Sequence, residues 1–409
     1  MLSIKAACWH SKDLMNPDNR QLLFPLHLMF FLSGIGTVLI GQVLPNLAGS
    51  FALTDLEAGY FFPAQFSGSM LGTLATSWFG RKRKFLNATI LGCVAIAAGL
   101  TAMNLTSFGG SLSGFFITGL GIGLTLPSIN MLVLEMSPQK GASALSVLNF
   151  CWGLGAIVCK PYVDLTSTKG SIFVTTLFLA IPLLAGAAFL AAMPRLPEQP
   201  QEKAVPAVPN PSSKLIWTTG LAWVIALFNF IQVGFEGGIG GWLTTYADRL
   251  EGVPVAHLLS PTFIYYLFFV LGRGAAPLFF RWMNEDRVLF FDLALMLIGM
   301  IVILSAGDLL WLSIGAAFSG FGASSVFPTN LSRFTSIFGS MATRRATPLF
   351  ICGTLGAASV TWLIGFVSDK AGNLRAGMFI MLGCVIVLLA VQALLSMAGQ
   401  AAGNAELNN

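Results

Sequence analysis

Hydrophobic residues in this chain neither alternate with polar ones nor keep to one helical face. They run almost unbroken for stretches close to the roughly 20 residues that a membrane-crossing helix needs, with short polar or basic segments between. Twelve such stretches are read: 22–49, 56–79, 85–104, 113–135, 142–164, 171–193, 215–247, 259–281, 288–306, 309–335, 346–368 and 376–398. They are too long for the 9–11-residue strands of a membrane barrel, so each predicts a transmembrane helix. The fold class expected is an all-α membrane protein of twelve transmembrane helices.

The second half of the pattern repeats the first. Phe30 and Gly34 recur as Phe230 and Gly234, and Leu71, Gly72, Ala75 and Arg81 recur as Leu271, Gly272, Ala275 and Arg281. Gly119, Gly121 and Pro127 recur one residue later, as Gly320, Gly322 and Pro328, and Leu154-Gly155-Ala156 recurs as Leu355-Gly356-Ala357. A constant offset with one insertion predicts two six-helix bundles, 22–193 and 215–398, related by a pseudo-twofold axis. Parallel repeats of this kind build one large class of secondary transporters, with substrate held between the halves. The segment 194–214, PRLPEQPQEKAVPAVPNPSSK, is rich in proline and reads as an extended linker.

Composition agrees. The 409 residues are 55% hydrophobic and 10% charged, too little charge to cover a water-soluble surface. The net charge of +5 lies mostly on one set of loops: Lys5, Lys12 and Arg20, then Arg81 to Lys84, Lys140, Arg195, Lys203, Lys214, Arg281, Arg287, Arg344 and Arg345. The other loops carry Lys169, Arg249, Lys370 and Arg375. The positive-inside rule puts the tail 1–21, the linker, the tail 399–409 and both termini in the cytoplasm, and a bacterial inner membrane is expected. Topology accounts for the basic charge, so no nucleic-acid partner is read. The six cysteines have no metal or redox spacing and read as packing residues. No metal or other cofactor is expected.

The twelve-helix repeat, with Gly80-Arg81-Lys82-Arg83-Lys84 after the second helix, resembles the major facilitator superfamily. The acid expected shortly before that glycine is missing; Thr76 and Ser77 stand there. Within the superfamily the chain is most similar to fucose:proton symporters and related sodium-dependent glucose transporters. Three stretches carry this: Gly119-Leu120-Gly121 with Pro127 and Asn130, Leu148-Asn149 through Ala156, and Val233-Gly234-Phe235-Glu236 with Gly240-Gly241-Trp242. The resemblance implies sugar transport by alternating access. The carboxylate positions of the fucose symporters fall at Gly41 and Leu124, so their coupling scheme does not carry over.

Ionisable groups in hydrocarbon are costly, and each is a functional candidate. Glu236 lies near the middle of the seventh span, and Asn229, Gln232 and Glu236 share a helical face. Glu236 is read as a substrate ligand and as the ion-coupling acid, with a plain helix–helix hydrogen bond or a pairing with Arg273 as the alternative. Asp292 and Glu135 are placed near the membrane surface. Asn149, Trp152 and Lys160 share a face of the fifth span; a Trp ring beside an amide suits a sugar, whereas a packing Trp and an interhelical Asn is the other reading. Lys160 is read as a snorkelling or structurally paired cation. Arg273, seven residues after Tyr266, is expected to pin helices or pair with a loop acid, and Arg81 and Arg333 to serve as gate or structural charges. Gln232 and Tyr266 are read as further substrate ligands, and Gln42, Asn130 and Asn330 complete a neutral cavity able to read hydroxyls, unless they only join helices. The pairs Gly68/Gly72, Gly119/Gly123 and Gly237/Gly241 predict close helix contact.

These readings favour a monomeric secondary transporter in a lipid bilayer, moving a small neutral polar solute, a monosaccharide by preference, with proton or sodium as candidate coupling ion. An exporter of amphiphilic or anionic compounds and a non-transporting membrane sensor are the alternatives. An enzyme is not expected: His10, His27 and His257 are dispersed, and no Ser/His/Asp set or metal cluster stands at membrane depth. No phosphate-binding glycine loop exists for ATP-driven pumping.

Overall fold

The structure is a computed structural model that describes residues 17–82, 84–105, 107–136, 141–168, 171–193, 216–251, 260–338 and 346–407. The linker 194–214, Arg83, Lys140, Lys169, Arg344, Arg345 and the first 16 residues lie outside them. The described residues are almost entirely helical. The first half holds α1 (Pro17–Phe51), α2 (Asp55–Gly59), α3 (Phe61–Arg81), α4 (Phe85–Ala102), α5 (Phe108–Met136), α6 (Gly141–Thr166) and α7 (Phe173–Ala192). The second holds α8 (Gly220–Glu251), α9 (Pro261–Trp282), α10 (Glu285–Ser305), α11 (Leu309–Ala323), α12 (Val326–Phe338), α13 (Thr347–Ala371) and α14 (Leu374–Leu407).

Eleven stretches, α11 and α12 taken together, are long and apolar enough to cross a membrane. The twelfth crossing is α3, which is of like length but carries Gln65, Ser67, Ser69, Thr73, Thr76 and Ser77. Helix α1 starts at Pro17 and α5 at Phe108, each five residues earlier than read, and three further differences have a local cause or reach furthest. The second span is preceded by a separate short helix, because Thr54 and Glu57 form a reciprocal capping box: Thr54 N–H donates to Glu57 Oε2 at 2.9 Å and Glu57 N–H to Thr54 Oγ1 at 3.2 Å. The stretch 309–335 is broken at Ser324 and Ser325 into α11 and α12. Helix α14 runs past 398, through residues read as a tail, to Leu407.

Helix pairing repeats between the halves. α1 packs on α6 as α8 packs on α13, and α3 and α4 pack on α5 as α9 and α10 pack on α11. Small residues make these approaches possible. A Cβ on Gly119 would fall 1.9 Å from the Gln65 carbonyl oxygen, and one on Gly68 would fall 2.0 Å from that of Phe116. The counterpart Gly320 would meet the Tyr265 carbonyl at 2.2 Å, so the same backbone contact is built twice. With lipid outside as apolar as the interior, such close packing is a main source of helix association.

The two bundles are joined on the half away from Arg81, Lys82 and Lys84. Gly41 on α1 abuts Gly240 on α8, where a Cβ would lie 2.0 Å from the Gly240 carbonyl oxygen. Thr244 Oγ1 donates to Gln42 Oε1 across the interface at 2.7 Å. Furthest from the basic loops, Asp55 at the start of α2 accepts from Arg249 on α8 through both carboxylate oxygens, one at 2.8 Å, and from Ser368 on α13. The Phe62 and Trp242 rings, 5.8 Å apart, close the seam beneath this clasp. The molecule is therefore sealed at the face opposite the basic loops.

Candidate functional site

Beneath the seal lies a cavity of about 150 Å³ whose wall comes from both bundles. The first half contributes Thr37 from α1, Phe62 and Phe66 from α3 and Trp152 from α6. The second contributes Glu236, Gly237 and Gly240 from α8, and Tyr265, Tyr266 and Phe269 from α9. Six aromatic rings thus surround a small set of polar groups. Glycine at 240 makes room for one of them: a Cβ there would fall 2.4 Å from the Tyr266 hydroxyl.

Glu236 is the one carboxylate in this wall. Gln232, one turn earlier on α8, donates Nε2 to Glu236 Oε1 at 2.9 Å and approaches the Ala323 carbonyl at 3.4 Å. Arg273 on α9 donates Nε to the Ser324 carbonyl at 3.3 Å and lays its guanidinium 4.3 Å from the centre of the Phe269 ring. The charges of Glu236 and Arg273 act on each other. On the opposite wall, Trp152 Nε1 points to Thr37 Oγ1 at 3.5 Å, and Gln65 Nε2 donates to the Thr37 carbonyl at 2.9 Å. The Tyr265 hydroxyl, Gln232 Oε1 and Gln65 Oε1 are buried without a hydrogen-bond partner. Buried polar atoms are normally paired, and of these three residues Tyr265 lines the cavity, so its hydroxyl is placed to meet a hydroxyl of a guest.

The structure gathers four of the residues read from the sequence as substrate ligands, Trp152, Gln232, Glu236 and Tyr266, at or beside this cavity. It places the others elsewhere. Asn149 is exposed on α6, and its Nδ2 turns back to the Leu145 carbonyl at 2.9 Å, so the Asn–Trp pair does not form. Gln42 is buried at the seal, held by Thr244. Asn330 donates to the Ile225 carbonyl at 3.3 Å and joins α12 to α8. Asn130 on α5 leaves its Oδ1 unpartnered but does not line the cavity.

Among the charges, Lys160 is buried and forms an i,i+4 ion pair with Asp164. Arg273 does not go to a loop acid; it stays at membrane depth against the α11/α12 break and Glu236. Arg333 is buried in a cluster with Asp286, at 3.0 Å, and Gln392, at 2.6 Å. Arg81 ends α3 in an exposed position. Glu135 is exposed near the end of α5, whereas Asp292 is buried within the bundle: it is 3% exposed and accepts from Ser325. Counting from the start of α10 placed it two turns inside, and tertiary packing then covers it. Gly41 and Leu124 are packing positions, Gly41 against α8 and Leu124 in the α3–α5 contact.

Sequence reasoning missed Thr37 and Tyr265, and ranked Gln65 below the other span amides. A lone hydroxyl or amide in an apolar span carries little signal. Tyr265 could have been found as the repeat partner of Gln65, since the two flank equivalent glycines, Gly119 and Gly320. Among the described residues, no group of three or more His, Cys, Asp or Glu could hold a metal.

Residues 26–347 match the profile of the family described as Major Facilitator Superfamily. The chain is 23% identical to a "Protein TsgA homolog" of Erwinia tasmaniensis over 88% of its length and 91% of that protein's. It is 22% identical to the L-fucose-proton symporter of Escherichia coli, over 94% of this chain and 96% of that one. A bacterial homologue of the lysosomal transporter Spinster, solved in an inward-facing and unoccupied conformation, superposes with a TM-score of 0.78. That likeness covers 93% of this chain and 98% of the other at 13% identity, and bears on fold alone.

Proposed function

The chain belongs to the Major Facilitator Superfamily, an integral membrane transporter and not an enzyme, and from that premise we propose that it carries a small neutral polyhydroxylated solute, a monosaccharide or polyol, through the cavity between its bundles. One observation carries this reading: six aromatic rings around Glu236, Gln232 and the unpartnered Tyr265 hydroxyl. A sugar presents apolar C–H faces and a rim of hydroxyls. Rings pack on the former, while a carboxylate and amide accept and donate to the latter. The similarity to an L-fucose-proton symporter over almost the full length supports the same class.

The basic loops face the cytoplasm in this proposal, so the sealed face is external and the conformation opens inward, in keeping with the inward-facing Spinster homologue. Transport follows by rocking the bundles until the Asp55 clasp opens and the basic side closes. Glu236 takes part in ion coupling, since its charge meets Arg273 on one side and the guest on the other. Arg273 against an aromatic cavity favours a second reading, carriage of an aromatic or amphiphilic anion. A thermal-shift panel on purified protein separates them. Hexoses, pentoses and polyols should raise the melting temperature; stabilisation by carboxylates or phosphates alone would reverse the assignment.

A further inference from the structure

Three consecutive residues at the break between α11 and α12 each hold a side chain from a different helix. The Ala323 carbonyl accepts from Gln232 on α8, and the Ser324 carbonyl accepts from Arg273 on α9. Ser325 Oγ donates to Asp292 Oδ2 on α10. Ser324, Ser325 and Asp292 are 1%, 3% and 3% exposed, so this hub is interior to the C-terminal bundle. The backbones touch here: a Cβ on Gly322 would fall 2.5 Å from the Asp292 carbonyl oxygen.

Among the described residues, no cation pairs with Asp292: no ion pair within 4.0 Å reaches it. On the helices packed against α10, Arg273 is committed to Ser324 and Phe269, and Arg333 to Asp286 and Gln392. Helix α11 has no titratable residue. Helix α14 offers Arg375 and Glu406 near its two ends and Cys384 between them, and α9 adds Tyr265, Tyr266 and Arg281. On α10 itself Glu285, Asp286 and Arg287 stand at the helix start, and none forms an ion pair with Asp292. A bare carboxylate charge in such a place costs several kcal/mol. A single hydroxyl does not offset that cost, nor does it make the oxygen shell a sodium ion needs.

We propose that Asp292 is a proton-binding site of the transport cycle, occupied by a proton in this conformation, and that the α11/α12 break links it to the central cavity. Interrupted helices are where many transporters set their coupling ions, and the helix here is interrupted at Ser324 and Ser325. Loss of the proton creates a charge that must draw in Ser325 or water. A backbone shift at Ser325 would carry Ala323 and Ser324 with it, whose carbonyls hold Gln232 and Arg273. Those two side chains are the neighbours that set Glu236. The proton on Asp292 is thereby felt in the cavity wall through one hinge, with no direct contact.

The proposal rests on the transporter reading, so its test has one readout that needs no substrate. Infrared difference spectroscopy of purified protein during a pH titration reports protonated carboxyl groups. Wild type should show a protonated-carboxyl component that Asp292→Asn removes and Ser325→Ala shifts, and that persists in Glu236→Gln. An unchanged carboxyl band in Asp292→Asn overturns the proposal; should that variant not fold, an unshifted band in Ser325→Ala does so. In vesicles loaded with the sugar that stabilises the protein, Asp292→Asn should lower proton-driven accumulation about tenfold more than it lowers counterflow exchange. Equal accumulation by variant and wild type also overturns it. Absence of any sugar exchange by wild type would instead reject the transport assignment, leaving the infrared result to stand by itself.

Discussion

The clasp at Asp55 allows a worked prediction about the conformational equilibrium. Asp55 belongs to the first bundle, while Arg249 and Ser368 belong to the second, so opening the sealed face must break all three contacts. The Arg249–carboxylate pair uses both oxygens, a geometry that favours charge-assisted hydrogen bonds. Its side chains are 45% and 10% exposed, so solvent screens part of the gain. Charged hydrogen bonds contribute about 1.5–3 kcal/mol when dry, and exposed pairs about 0.2–1, so about 1–2 kcal/mol is expected here. Asp55→Asn should then move the closed-to-open ratio of this face by about 5–30-fold. Spin labels on Ser50 and Lys370, at the sealed ends of α1 and α13, would report the two distances by electron double resonance. A double-mutant cycle with Arg249→Gln should give a coupling energy near 1 kcal/mol or more. An unshifted distance distribution in Asp55→Asn, or zero coupling, would refute the reasoning.

The same clasp has a pH signature. Burial pushes the Asp55 carboxyl up, but the hydrogen bonds from Arg249 and Ser368 and the Arg249 charge outweigh it and hold the group below its ordinary 3.8. A lowered value in the clasped state means the clasp is complete above the ordinary range and lost only as pH falls through the lowered value. Label distances should therefore show no Asp55-dependent change from about pH 5 upward. For the cavity, Glu236→Ala should weaken sugar binding by about 10–100-fold, the loss of one or two hydrogen bonds to a charged group, measured by isothermal calorimetry. Glu236→Gln should keep counterflow exchange better than ion-driven accumulation, and an unaltered gradient response would move coupling elsewhere. Trp152→Ala should weaken sugar binding while leaving the melting temperature of the empty protein within a few degrees, since its ring faces the cavity. Gly119→Val should lower the melting temperature sharply, its Cβ falling 1.9 Å from the Gln65 carbonyl, whereas Gly383→Ala, with nothing within 4 Å, should not.

The fold was legible because its two determinants are written in one dimension. Span length follows from bilayer thickness, and the repeat follows from glycine and proline spacing. Helix ends set by side-chain caps, such as Thr54 with Glu57, and the break at Ser324-Ser325 were harder: a run of small apolar and hydroxyl residues reads as continuous helix. The site was legible only in part. Glu236 stands out because a carboxylate in hydrocarbon is rare, and Trp152 because of its size. Asn149 and Gln42 had the right residue type, but their direction was decided by partners distant in sequence or by their own backbone. Asp292 lies seven residues into α10, and its burial against Ser325 comes from packing that sequence distance does not show.

The central claim is that a neutral sugar or polyol binds between the bundles at Glu236 and Trp152 and is carried across. Counterflow in proteoliposomes tests it most directly, with labelled hexoses, pentoses and polyols run beside aromatic carboxylates. The account predicts saturable exchange of at least one sugar or polyol by the wild type, lost when Trp152→Ala and Glu236→Ala are combined. Exchange of carboxylates with no sugar or polyol moving, or sugar exchange that survives both substitutions, would contradict it.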